Sequence, residues 1–156
     1  NLVDPFGLKN RSACRELEKL RATYTSGDAV ANHLQMRLNH QADGDFDFKL
    51  TDDKFVFPWG ELTGPQFGNY AAGYSAGYAG TSILIPGVGV ASPTLAFVHA
   101  AGSFYGIVES LNNDSWKPSQ WMFLGDDWGS YWMIEAGFSA GMRDNRSGVP
   151  SDCGCE

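Results

Sequence analysis

From Leu62 to Val108 the chain carries no aspartate, glutamate, lysine or arginine. A run this long without charge, and rich in Ala, Tyr, Ile and Val, has to be buried, in protein or in lipid. Gly68, Gly73, Gly77 and Gly80 punctuate its first half. Glycine inside a helix costs about 1 kcal/mol relative to alanine, so glycines that recur there imply a packing reason. Ile83-Leu84-Ile85 follows, Pro86-Gly87-Val88-Gly89 forms a turn, and Thr94 to Val108 reads as a further helix. Small residues three and four apart let helices approach closely, in a core or in a bilayer. Neither arm offers the roughly 20 uninterrupted apolar residues of a membrane span. The stretch therefore predicts a Gly/Ala-rich buried helical pair, and stable membrane insertion is not expected.

The flanking sequence supplies the rest of the fold. Residues 12 to 40 read as two helices: Ser12 with Glu16 starts one, and Leu17 and Leu20 repeat at helical spacing. Ser26-Gly27-Asp28 breaks the run, and Val30, Leu34 and Leu38 fall on one face of the second helix. Residues 45–58 alternate in two arms, Asp45 to Leu50 and Lys54 to Phe57, around a polar Thr51-Asp52-Asp53 connection. That pattern predicts a small β-hairpin ended by Pro58-Trp59-Gly60. Asp127 to Met142 reads as a last amphipathic helix led by Asp126, and residues 143–156 as a polar tail. The expected class is α+β, mainly helical, with about five helices and one hairpin, in a single domain over 9–142.

Eighteen acidic residues face 11 basic ones, a net charge of −7. Phosphate neutralisation supplies most non-specific affinity for nucleic acid, so this balance opposes RNA binding, and no DNA partner is expected. Three cysteines, Cys14, Cys153 and Cys155, are odd in number and sparse, and do not read as a disulfide framework. The start is neither basic nor followed by an apolar core, so it does not read as a signal peptide.

The opening string Asn1-Leu2-Val3-Asp4-Pro5-Phe6-Gly7-Leu8 is locally a proline–glycine turn. As a whole it resembles the closing segment of Rhs/YD-repeat shells, where the shell ends and a variable toxin begins. That resemblance implies that Asp4 belongs to a self-cleaving aspartyl site, with Gly7 and Leu8 at the cut. Residues 1–8 would then be a remnant of the autocleavage junction, and the remainder an effector of interbacterial competition, of the kind carried by type VI secretion. It would be delivered into the periplasm or cytoplasm of a target cell. A cognate immunity protein and the Rhs shell are the partners this implies. An acidic toxin predicts a basic immunity surface.

A second resemblance covers roughly residues 30 to 140. Asp47-Phe48-Lys49, Gly68-Asn69-Tyr70 with its Gly/Ala run, and Gly125-Asp126-Asp127 with Ile134 and Gly137 are similar in order to the polymorphic toxin type 44 domain. The family is generally regarded as nuclease-type. This chain has Ala71 and Ala72 where a histidine often stands, and Ser130 where a further aspartate is common. The missing histidine puts a metal-independent RNase mechanism in doubt.

Carboxylates are the main chemical resource. If Asp47 meets Asp126 and Asp127 across a cleft, one carboxyl can hold a proton while another stays ionised, as glycoside hydrolysis needs. Each also has an ordinary use: Asp126 and Asp127 suit a helix N-terminus, and Asp47 with Lys49 suits a surface ion pair. The expected catalytic set is Asp47, Lys49, Asn69, Asp126 and Asp127, with Trp59, Tyr70 and Trp128 binding substrate. No cofactor is called for, and no metal ligand set is assigned, although the aspartates leave room for a divalent ion. Glu135 reads as a surface acid, and His99 as a hydrogen-bonded core histidine rather than a catalyst. His33 and His40 lie two helical turns apart, too far to share a metal. No nucleophile elbow, phosphate loop or dinucleotide fingerprint is present. The reading is a toxin that hydrolyses cell-wall glycan, with an RNase and a membrane-disrupting toxin as alternatives.

Overall fold

The computed structural model describes residues 10–24, 32, 35, 39, 45, 46, 48, 51–80, 83–85, 89–96, 98–100, 128–148 and 153. The elements run β1 (Asn10–Ser12), α1 (Ala13–Thr23), β2 (Lys54–Phe57), β3 (Gly60–Thr63), α2 (Gly64–Ala79), β4 (Ile83–Ile85), β5 (Gly89–Ala91) and α3 (Trp128–Ser147). Residues 32, 35 and 39 are helical, as are 93–96 and 98–100. The fold is α+β and mainly helical, as the sequence predicts.

Local chemistry explains the helix starts. The Ser12 hydroxyl accepts from the Arg15 amide at 3.4 Å, Glu16 stands in the first turn, and Ala13, Leu17 and Leu20 are buried. Before α2, the Gln66 side-chain oxygen accepts from both the Thr63 amide (3.0 Å) and the Thr63 hydroxyl (3.2 Å). Pro65 fits the first turn, where its missing amide proton costs nothing. Ser92 caps the helical residues 93–96 by accepting from the Leu95 amide at 3.1 Å.

The sheet differs from the expected hairpin over 45–58. β2 pairs downstream with β3, antiparallel, from Lys54 opposite Thr63 to Phe57 opposite Gly60. Its other edge pairs with β1 in parallel, Arg11 opposite Phe55. Both edges of β2 are thus taken, and Pro58-Trp59 turns the hairpin instead of ending it. Phe46 and Phe48 mimic a strand because both enter the same core, from a segment with turn-type bonds: Phe48 amide to Phe46 carbonyl at 3.0 Å, and Thr51 amide to Phe48 carbonyl at 3.4 Å. A second antiparallel pair, β4 with β5, was not expected.

Phe48, Phe55, Phe57, Phe67 and Tyr70 form the aromatic centre. Phe55 and Phe67 stack at 4.1 Å, and Phe48 meets each edge-on at 5.1 and 4.9 Å. The Arg11 guanidinium lies over Phe48 and Phe55 at 5.6 and 5.3 Å, capping the cluster at its polar side.

The glycine-rich helix α2 packs against α3, and residues 101–108 of the expected second arm lie outside the described residues. A methyl group on Gly73 would overlap the Ile134 carbonyl oxygen, and one on Gly77 the Phe138 carbonyl oxygen. Reciprocally, methyls on Gly137 and Gly141 would strike the carbonyls of Tyr70 and Tyr74. Matches rise together along both helices, 73 with 134 and 77 with 138, so α2 and α3 run parallel in backbone contact. α3 also continues past Met142 to Ser147, through part of the expected polar tail, with Gly148 at φ 71° bonding the Asp144 carbonyl at 2.8 Å. Tyr74 donates to the carboxylate of Asp144 at 2.6 Å, and Asp144 is only 1% exposed.

Cys14 on α1 is bonded to Cys153, 139 residues away. The sparse, odd cysteine count concealed this bridge, because pairing depends on which ends of the fold meet.

Candidate functional site

The expected residues divide into three groups. Asp47, Lys49, Asp126 and Asp127, with the junction residues Asp4, Gly7 and Leu8, lie outside the described residues, as do His33 and His40. Trp128 opens α3, immediately after Asp127 in sequence. Asn69 and Tyr70 sit inside the core on α2; Tyr70 is 2% exposed and packs edge-on against Phe57 at 5.3 Å. Tyr70 is therefore a core aromatic rather than a substrate platform. Trp59 is 56% exposed at the β2–β3 turn, held flat against Phe57 at 4.5 Å and 18°. It remains a rigid, solvent-facing ring.

A different group converges between the 93–100 segment and α3. His99 Nε2 and Glu135 Oε1 are 3.0 Å apart. The His99 side chain is 15% exposed and that of Glu135 30%, so solvent reaches the carboxylate while the imidazole is largely covered. The imidazole stacks on Tyr131 at 4.8 Å and 24°, and Tyr131 meets Trp132 edge-on at 5.7 Å. Tyr131, Trp132 and Glu135 are neighbours because residues three and four apart share a helix surface. The helix spacing was visible in the sequence; the pairing with His99 was not, since it joins residues 36 apart. The arrangement fixes a carboxylate beside aromatic rings.

A second polar cluster lies at the start of α1. Glu16, largely buried, accepts from Arg11 at 2.9 Å and from Lys19 at 2.9 and 3.1 Å. Arg11 also pairs with Asp53 at 3.5 Å. An open groove of about 570 Å³ is lined by Asn10, Arg11, Ser12, Arg15, Glu16 and Lys19. Arg11 and Lys19 already serve Glu16, and Arg11 also serves Asp53, so these two cations tie β1, α1 and β2 together. Among the described residues no three His, Cys, Asp or Glu side chains gather as a metal site.

Two buried tyrosines have altered acidity. Burial pushes the Tyr24 hydroxyl up from 10.0 to about 12, against opposing hydrogen bonds with Asn39 and Ser75. Burial, then the hydrogen bond to Asp144, also pushes Tyr74 up. Both stay protonated at neutral pH: Tyr74 donates to Asp144, and the Tyr24 oxygen accepts from the Asn39 side-chain amide at 3.4 Å. No family model, curated protein or solved structure matches the chain.

Proposed function

We propose that the chain is an interbacterial toxin domain, released from an Rhs shell, that works in the cell envelope by carboxylate-based hydrolysis of cell-wall glycan. The observation that carries this reading is the Cys14–Cys153 disulfide. Such bonds persist in oxidising compartments, the bacterial periplasm among them, and are rare in the cytosol. A domain stapled by this bond keeps it in the periplasm, where the cell wall is, whereas an RNase would have to work where the bond is reduced. The net charge of −7 points the same way, since it repels a polyanionic substrate. No helix among the described residues is long and apolar enough to cross a membrane.

In this reading Asp47 and the Asp126-Asp127 pair divide the work of glycoside hydrolysis. A protonated carboxyl gives its proton to the leaving-group oxygen as the glycosidic bond breaks, and an ionised one takes a proton from the water that bonds to the anomeric carbon. Trp59 offers a stacking surface to a sugar ring. A cognate immunity protein covers the site with lysine or arginine opposite Asp47 and Asp126. Digestion of isolated peptidoglycan sacculi by the oxidised protein tests the reaction: soluble fragments with new reducing ends are expected. Intact sacculi alongside degraded total RNA would overturn it.

A further inference from the structure

We propose that His99, Tyr131, Trp132 and Glu135 form a saccharide-binding subsite that takes a neutral N-acetylhexosamine unit. The proposal rests on the glycan reading and assigns that substrate a second contact surface, carried by α3. A pyranose has an apolar C–H face and a rim of hydroxyl donors. Trp132 is 48% exposed, an aromatic face of the kind that binding surfaces retain. Three residues further along the same helix surface stands Glu135, whose carboxylate has one oxygen 3.0 Å from His99 Nε2 and is still 30% exposed. Hydroxyls donating to an ionised carboxylate make strong, charge-assisted hydrogen bonds. His99 is itself held flat on Tyr131, and Tyr131 abuts Trp132, so ring and carboxylate are fixed relative to each other before a ligand arrives. Preorganisation of this kind removes part of the ordering cost of binding.

Charge selects the class of sugar. Glu135 and the net charge of −7 disfavour uronic or phosphorylated sugars and leave a neutral ring as the better match, which in the glycan reading is an N-acetylhexosamine. An ordinary surface ion pair would need neither the stacked histidine nor the exposed indole beside it.

The test uses the tetramer of β-1,4-linked N-acetylglucosamine, titrated calorimetrically into the full oxidised chain, with Trp132→Ala, Trp132→Phe and Glu135→Gln alongside. Glu135→Gln is isosteric, and Trp132→Phe keeps a ring, so both guard against simple misfolding. At least tenfold weaker binding is expected for Trp132→Ala and Glu135→Gln, with a smaller loss for Trp132→Phe. Wild-type affinity in both of the first two variants, or no binding by the wild type at millimolar sugar, would overturn the subsite. Sacculus digestion separates this from the broader reading. Variants that bind and digest like the wild type refute the subsite alone. Sugar binding that the variants lose, on a protein that leaves sacculi intact, supports the subsite and refutes the hydrolysis.

Discussion

Tyr74 and Asp144 meet across the α2–α3 contact, where a phenol donates at 2.6 Å to a carboxylate with almost no access to water. A buried acceptor that loses a donor costs about 1–3 kcal/mol. Tyr74→Phe should therefore destabilise the fold by about 2 kcal/mol in urea denaturation; an unchanged midpoint would mean that the bond contributes nothing net. The same burial makes stability fall at high pH. An unfolded tyrosine loses its proton near 10.0, whereas Tyr24 in the fold holds it up to about 12. Folded protein then binds more protons than unfolded, and stability drops by about 1.4 kcal/mol per pH unit for each such residue. Below pH 10 this contribution is fully present; it is lost as pH rises toward 12. Stability measured at pH 9 and pH 11.5 should show the decline, and Tyr24→Phe should shallow it. A pH-independent midpoint across that window would contradict the buried, protonated state. None of this was legible in the sequence, because Tyr24, Asn39, Tyr74 and Asp144 come together only through the fold.

At the scale of elements, the glycines of α2 announce close packing, but not against what. Gly73 and Gly77 match Gly137 and Gly141, each pair four residues apart, and the second pair sits in a helix whose charged and polar positions read as a surface. Parallel packing of α2 with α3 needs a crossover, which local pattern does not encode. The hairpin shows the same limit. Phe46, Phe48, Phe55 and Phe57 all enter the core, so both arms carry the alternation although only the second is a strand. Gly137→Ala should destabilise by about 3 kcal/mol or more, since the added methyl meets backbone and the helices must part. Ser139→Ala, on the exposed face of the same helix, should be near neutral. Equal, small effects in thermal melts would contradict the backbone contact.

For the whole molecule, the disulfide is the feature that connects fold to function. It closes a loop of 139 residues, for which constraint of the unfolded chain is worth about 2–5 kcal/mol. Cys14→Ser should lower stability by that amount, and reductant should bring the wild type down to the variant and leave the variant unmoved. Oxidised and reduced wild type unfolding together would remove the argument for an oxidising site of action. Of the residues that the sequence puts forward for chemistry, Trp59 stands exposed and Tyr70 is core. The His99–Glu135 pair escaped notice because each residue alone has an ordinary explanation.

The most direct measurement is induced expression in a bacterial host, directed either to the periplasm or to the cytoplasm, with Asp47→Ala and Asp126→Ala as companions. Lysis only from the periplasm, lost in either variant, is the predicted result. Growth arrest only from the cytoplasm, with degraded RNA, would contradict an envelope-acting glycan hydrolase.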